Sequence, residues 1–178
     1  MTTCAVEDKL SLGQAVSPLR SNSYLRIKAI FIANGLFIAQ IPAMTTILLI
    51  DDNDKDRTYY ADQVKIFIPD CIVLEAQDIR SGLELYQSRQ IDCIVTEIHL
   101  PDSSGFELLI DLVPDASDEP PVAVVMLTRL SKPGLAQLAK TNGAQAFFVK
   151  RLTSGDELAQ AIEKAIARVG QHKGSSPG

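Results

Sequence analysis

The chain has 178 residues, 46% hydrophobic and 22% charged, which suits one globular domain with some length to spare. A net charge of -5 with no basic run excludes a general nucleic-acid binder, since backbone binding needs Lys and Arg to replace phosphate counterions. The three cysteines, Cys4, Cys71 and Cys93, form no CxxC pair. Cys71 and Cys93 fall in apolar runs, where a small core residue suits a reducing cytoplasm.

Residues 1–43 carry four basic residues (Lys9, Arg20, Arg26, Lys28) against two acids, while residues 44–178 carry thirteen against twenty, so the first segment is +2 and the remainder -7. AIFIANGLFIAQIPA (29–43) is apolar, but it is too short and too interrupted by Asn34, Gly35 and Gln40 for a membrane span of about 20 residues. Met44 stands directly before the first convincing strand, so residues 1–43 are expected to be a disordered or non-native extension. The tail from 171 to 178 is expected to be disordered.

From residue 45 onward short apolar runs alternate with amphipathic stretches. TILLI (46–50) reads as a strand ending in Asp51-Asp52, and Tyr60, Ala61, Val64, Phe67 and Ile68 follow at helical spacing until Pro69. CIVLEA (71–76) is the second strand, followed by a helix face of Ile79, Gly82, Leu83 and Tyr86. IDCIVTE (91–97) is the third strand. Ser104 with Glu107 then makes a capping pattern before Phe106, Leu109, Ile110 and Val113. PVAVVMLT (121–128) is the fourth strand, and Leu135, Leu138 and Ala139 mark a short helix ending near Asn142-Gly143. The fifth strand ends at Lys150, and Ser154 with Glu157 caps a last helix whose face is Leu158, Ile162, Ala165, Ile166 and Val169.

Five strands alternating with five helices predict an α/β fold with a doubly wound five-stranded parallel sheet. Ligands in such sheets bind beyond the carboxyl ends of the strands. Four of the strands end there in polar groups: Asp51 and Asp52, Glu97, Thr128, and Lys150. Three carboxylates close together repel unless a cation joins them, and a few hard oxygen ligands select Mg2+. A lysine and a threonine beside them are suited to holding phosphoryl oxygens.

The order and spacing of IDD (50–52), EIHLP through Gly105 (97–105), MLT (126–128) and FFVK (147–150) resembles the receiver domain of two-component response regulators, over about residues 45–170. The resemblance implies a flavodoxin-like receiver fold in which a strand-end aspartate accepts a phosphoryl group from a histidine kinase. It assigns Asp51 and Asp52 to a Mg2+ site, His99 to a backbone carbonyl ligand of that metal, Thr128 to phosphoryl sensing, Phe147 to the aromatic switch and Lys150 to the phosphoryl or carboxylate partner.

Two departures stand out. The phosphoacceptor position, also a metal ligand, is Glu97 where the family has Asp, and one methylene moves the carboxylate outward by on the order of 1.5 Å, enough to spoil in-line attack. Arg151 follows the lysine where the family usually has proline, so the bond between them is expected to be trans. Mg2+ binding is therefore expected to be weak. Asp102, in the turn after Pro101, is read as stabilising that turn, with a role as substitute acceptor less favoured.

The leading reading is a stand-alone receiver domain, not an enzyme, that signals by protein contact with phosphorylation altered or lost because Glu97 imitates the charged state. Its partner surface, by the resemblance, is about residues 131–169, and the partners implied include a histidine kinase or phosphotransfer protein but neither nucleic acid nor membrane. A working phosphorelay receiver phosphorylated at Glu97 or a neighbour is the second reading. The third is a Mg2+-dependent phosphatase or nucleotide-binding protein on the same fold, disfavoured because no GxxxxGK[ST] loop is present.

Overall fold

The computed structural model describes residues 27–32, 35–40, 44–112 and 121–173. Cys4 and Val113 lie outside them. The first two strands, β1 (Ile27–Ile32) and β2 (Gly35–Gln40), form an antiparallel pair in register from Ile27 opposite Gln40 to Ile32 opposite Gly35. This hairpin, in a segment where the sequence pattern marks no strand, forms its own two-stranded sheet.

The remaining elements alternate as the periodicity predicts: β3 (Thr45–Ile50), α1 (Asp54–Phe67), β4 (Cys71–Ala76), α2 (Ile79–Ser88), β5 (Cys93–Thr96), α3 (Gly105–Leu112), β6 (Ala123–Thr128), α4 (Leu135–Thr141), β7 (Ala146–Val149) and α5 (Gly155–Lys173). One 3-10 turn, Lys150–Leu152, joins β7 to α5. The five strands are all parallel in the order β4-β3-β5-β6-β7. This is the doubly wound arrangement, with β5 central and the chain running from β3 first to β4 on one side and then to β5, β6 and β7 on the other. The last helix runs to Lys173, into the segment expected as tail.

Because successive strand side chains point to opposite faces, each strand feeds two cores. Ile47 and Leu49 of β3, Val95 of β5 and Leu127 of β6 pack with Tyr60, Val64, Leu158 and Ile162 on the α1/α5 face. Leu48, Ile50, Ile94 and Met126 pack with Ile79, Leu108, Leu109 and Ala139 on the α2/α3/α4 face. This double covering explains why the strands are apolar without alternation. On the edge strand β7 the two rings divide between the faces, Phe148 to the first core and Phe147 to the second, each half-buried. Cys93 is buried in the first core and Cys71 packs against it, both as free thiols. Three residues on the predicted helix faces, Phe67, Ile110 and Leu138, are exposed, because each lies at the margin of its apolar stripe.

Two helix starts are secured by side chains. Asn53 accepts from the Asp56 amide at the start of α1, and Asp78 accepts from the Ser81 amide at the start of α2. Asp102 does more than hold its own turn: its two carboxylate oxygens accept from the amides of Ile79 and Arg80 at 3.1 and 3.0 Å, tying the β5–α3 loop to the N-terminus of α2. At α3, Ser104 Oγ accepts from the Phe106 amide, while the Glu107 carboxylate takes the hydroxyl of Ser103.

Candidate functional site

Parallel register brings the strand ends to one rim. Ile50 stands opposite Thr96, Thr96 opposite Met126, and Thr128 opposite Val149, so the residues just beyond these positions share a level. The Asp51 amide donates to Ala76 O and the Glu97 amide to Ile50 O, which continues the ladder one residue past the strands and fixes where both carboxylates begin. Asp51, Glu97, Thr128 and Lys150 are all buried there, Glu97 with 4% of its surface exposed.

Lys150 is the centre of this rim. Its Nζ lies 2.5 Å from Asp51 Oδ2, 2.9 Å from Glu97 Oε2 and 3.0 Å from Asp56 Oδ2. The Lys150 carbonyl accepts from the Tyr60 hydroxyl at 2.5 Å, so α1 holds the lysine by its backbone as well. No cis peptide occurs among the described residues, and the Lys150–Arg151 bond is trans as Arg151 requires.

Glu97 is held at both oxygens. Oε1 accepts from the Ile98 amide at 2.7 Å, with the His99 amide at 3.4 Å, and Oε2 accepts from the Arg129 amide at 3.2 Å and faces Lys150. Burial favours the neutral carboxyl, but hydrogen bonds from Thr128 and Lys150, and the Ile98 amide, outweigh it and hold Glu97 below the usual carboxylate value. Asp51 goes the other way. Burial pushes its carboxyl up against the pull of Lys150, because among the described residues its further hydrogen-bond support is the Asn53 amide alone. For Lys150, burial favours the neutral amine, yet Asp51 and Glu97 keep it charged to higher pH than usual.

Two members of the site escape the sequence reading. Asp56, on the first turn of α1, pairs with Lys150 and accepts from Arg129 Nε at 2.8 Å. Burial pushes its carboxyl up, but Arg129 and Lys150 together bring it below the usual value. The signal was available: Asp56 lies one helical turn before Tyr60, on the face that Tyr60 buries, and so must point to the rim. Arg129 contributes through its amide and its side chain, and nothing in the residue type announces the amide.

The Mg2+ assignment concerns Asp51, Asp52, Glu97 and the His99 carbonyl, at the ends of β3 and β5. Asp51 and Glu97 do meet, but on the Lys150 ammonium, while Asp52 and His99 are exposed. Among the described residues no group of three or more His, Cys, Asp or Glu side chains is placed to hold a metal ion. In this structure the Lys150 ammonium balances the two carboxylates that such an ion would share.

Gly105 closes the floor of the site. Its amide donates to Ile98 O at 2.9 Å, and a Cβ built there would lie 2.4 Å from the Glu97 carbonyl oxygen, so only glycine lets α3 start this close to the acceptor position.

The rim geometry agrees with comparison to known proteins. The family model of the response regulator receiver domain matches residues 47–163. The chain belongs to this family. The transcriptional regulatory protein UhpA of Escherichia coli is 34% identical over 120 residues, covering 67% of this chain and 57% of that protein. The transcriptional regulatory protein PdtaR of Mycobacterium tuberculosis is 31% identical over 97 residues, covering 54% of this chain and 45% of that protein. The receiver thus spans about half the length of these relatives. A receiver domain crystal structure from Clostridium thermocellum superposes with a TM-score of 0.60 at 28% identity, covering 70% of this chain and 96% of that one. A CheY-like receiver structure from Methanospirillum hungatei, at 20% identity and a TM-score of 0.61, shares the fold. Receiver domains are modules of two-component signalling that interact with histidine kinases or other proteins, and they generally bind Mg2+.

Proposed function

We propose that this receiver signals through protein contact in a permanently charged state, with Glu97 and Lys150 in place of a phosphorylated aspartate and its metal. The carrying observation is the cradle around Glu97: the Ile98 and Arg129 amides, the Thr128 hydroxyl and the Lys150 ammonium all turn to its carboxylate. Such donors suit the oxygens of a phosphoryl group, and here a carboxylate of the chain fills them. Thr128 is the sensing hydroxyl and Phe147, half-buried on the adjacent strand, the aromatic coupled to it. The imitation is partial, with one charge and two oxygens where a phosphoryl group has nearly two charges and three oxygens.

The partner surface is about residues 131–169, which includes the exposed Leu138 of α4 and, just after β7, Leu152, 72% exposed. Mg2+ binding is expected to be weak, since an ion reaching Asp51 must displace Lys150, with Asp52 and the His99 carbonyl as further ligands. Calorimetric titration tests this, and a Kd in the micromolar range would oppose it.

Labelling with a small acyl-phosphate donor and Mg2+, read by intact mass, tests the proposal. The native protein is expected to take no stable label. Glu97→Asp withdraws the carboxylate by one methylene and frees the cradle, so this variant is expected to label. Native labelling at Glu97 equal to that of the Asp variant would replace the proposal with a working phosphorelay receiver.

A further inference from the structure

Adjoining the Glu97 site, and sharing Asp56, Arg129 and Lys150 with it, lies a cavity of about 530 Å³ whose other walls are Tyr59, Tyr60, Arg151 and Thr153. That volume falls in the range of small-molecule sites. Glu97 and Asp51 are not among its walls.

The wall chemistry is specific. Arg151 is exposed and makes no hydrogen bond or ion pair among the described residues. Arg129 uses its Nε on Asp56, and its side chain remains 51% exposed. Asp56 faces Lys150 and Arg129, but Lys150 is shared with Asp51 and Glu97, so the cation of the walls left for an incoming anion is chiefly Arg151. Tyr59 packs edge-on to Tyr60 with ring centroids 5.0 Å apart at 79°, and is 51% exposed. A half-exposed ring beside two guanidiniums in one concavity offers stacking for a flat ring and forked donors for a phosphate.

We propose that this cavity binds an aromatic phosphate monoester of the nucleoside monophosphate class, with Arg151 and Arg129 on the phosphate and Tyr59 against the ring. Arg151, which departs from the usual proline, gains a use by this assignment. No glycine-rich phosphate loop is required, because guanidinium forks replace backbone amides as donors. The site acts by occupancy alone, without bond making or breaking. Its walls on α1 and on the turn before α5 are elements that also hold Lys150, through Asp56 and Tyr60, so the ligand would touch the same lysine that Glu97 engages.

Isothermal titration of the full chain with AMP, inorganic phosphate and adenosine tests this, alongside Arg151→Ala and Tyr59→Ala. AMP is expected to bind saturably, and phosphate and adenosine each at least about tenfold more weakly, since each carries half of the contacts. Arg151→Ala and Tyr59→Ala are each expected to weaken AMP by about tenfold, and both side chains are exposed, so the variants fold. Absence of saturable AMP binding, or native affinity in either Arg151→Ala or Tyr59→Ala, would overturn the proposal.

Discussion

Replacing Lys150 with methionine keeps the length and apolar stem of the side chain and removes only its charge. In the native protein that charge is shared by Asp51 at 2.5 Å, Glu97 at 2.9 Å and Asp56 at 3.0 Å. Asp51 and Glu97 are 1% and 4% exposed, so water cannot replace the lysine for either of them. Removing one partner of such a buried pair costs about 3–5 kcal/mol. At roughly 4 °C per kcal/mol for a domain of this size, the melting temperature is expected to fall by about 12–20 °C at pH 7.

The loss must also depend on pH in one direction. Glu97 titrates below its ordinary 4.5 in the native protein, so its contribution is present above that value and disappears as pH falls through the lower folded value. Without Lys150, burial pushes both carboxyls up, and the variant takes up protons on folding. The gap between native and variant is therefore widest near neutrality and narrows as pH falls through the ordinary carboxylate range. Urea denaturation followed by circular dichroism at several pH values measures both. A gap under about 1 kcal/mol at pH 7, or one that stays constant down to pH 4, would refute the view that Lys150 is the site's internal cation.

Three further outcomes are expected. Gly105→Ala puts a methyl 2.4 Å from the backbone oxygen of Glu97, whereas Gly82→Ala meets the movable Cδ1 of Ile50 at 2.5 Å; in urea the first is expected to lose about 2–3 kcal/mol and the second less, and the reverse order would contradict the packing described. Tyr60 is pushed up to about 12 by burial, so its hydroxyl contributes stability that is complete below the ordinary 10.0 and is lost as pH rises through the folded value. Tyr60→Phe is expected to cost about 1 kcal/mol at pH 7 and to remove the latest step of the phenolate absorbance titration. A fragment beginning at Met44 is expected to keep the denaturation midpoint of the full chain, since the cores are built from residues beyond it; a large drop would show that the preceding segment packs on the domain.

Local pattern determined a great deal here. Apolar runs of four to six residues separated by amphipathic stretches permit little else than strands covered on both sides by helices, and the polar residues closing four of those strands had to gather at the carboxyl rim once the strands were parallel. Cys93 and the β3 residues could be placed in the core for the same reason. What each rim residue does was decided only by tertiary contact. The adjacent acids Asp51 and Asp52 look equivalent in the chain, yet backbone direction at the end of β3 buries the first against Lys150 and leaves the second exposed. Asp102 looks like a turn residue, but two amides 23 and 22 positions away use its carboxylate. Asp56 and Arg129, 73 residues apart, join the site from a helix and a loop, paired with each other and bonded to Lys150 and Glu97 respectively. Side-chain periodicity is a property of neighbours in the chain and so can be read along it. The partner of a buried charge is chosen by distance in space, and that distance exists only after the sheet has closed.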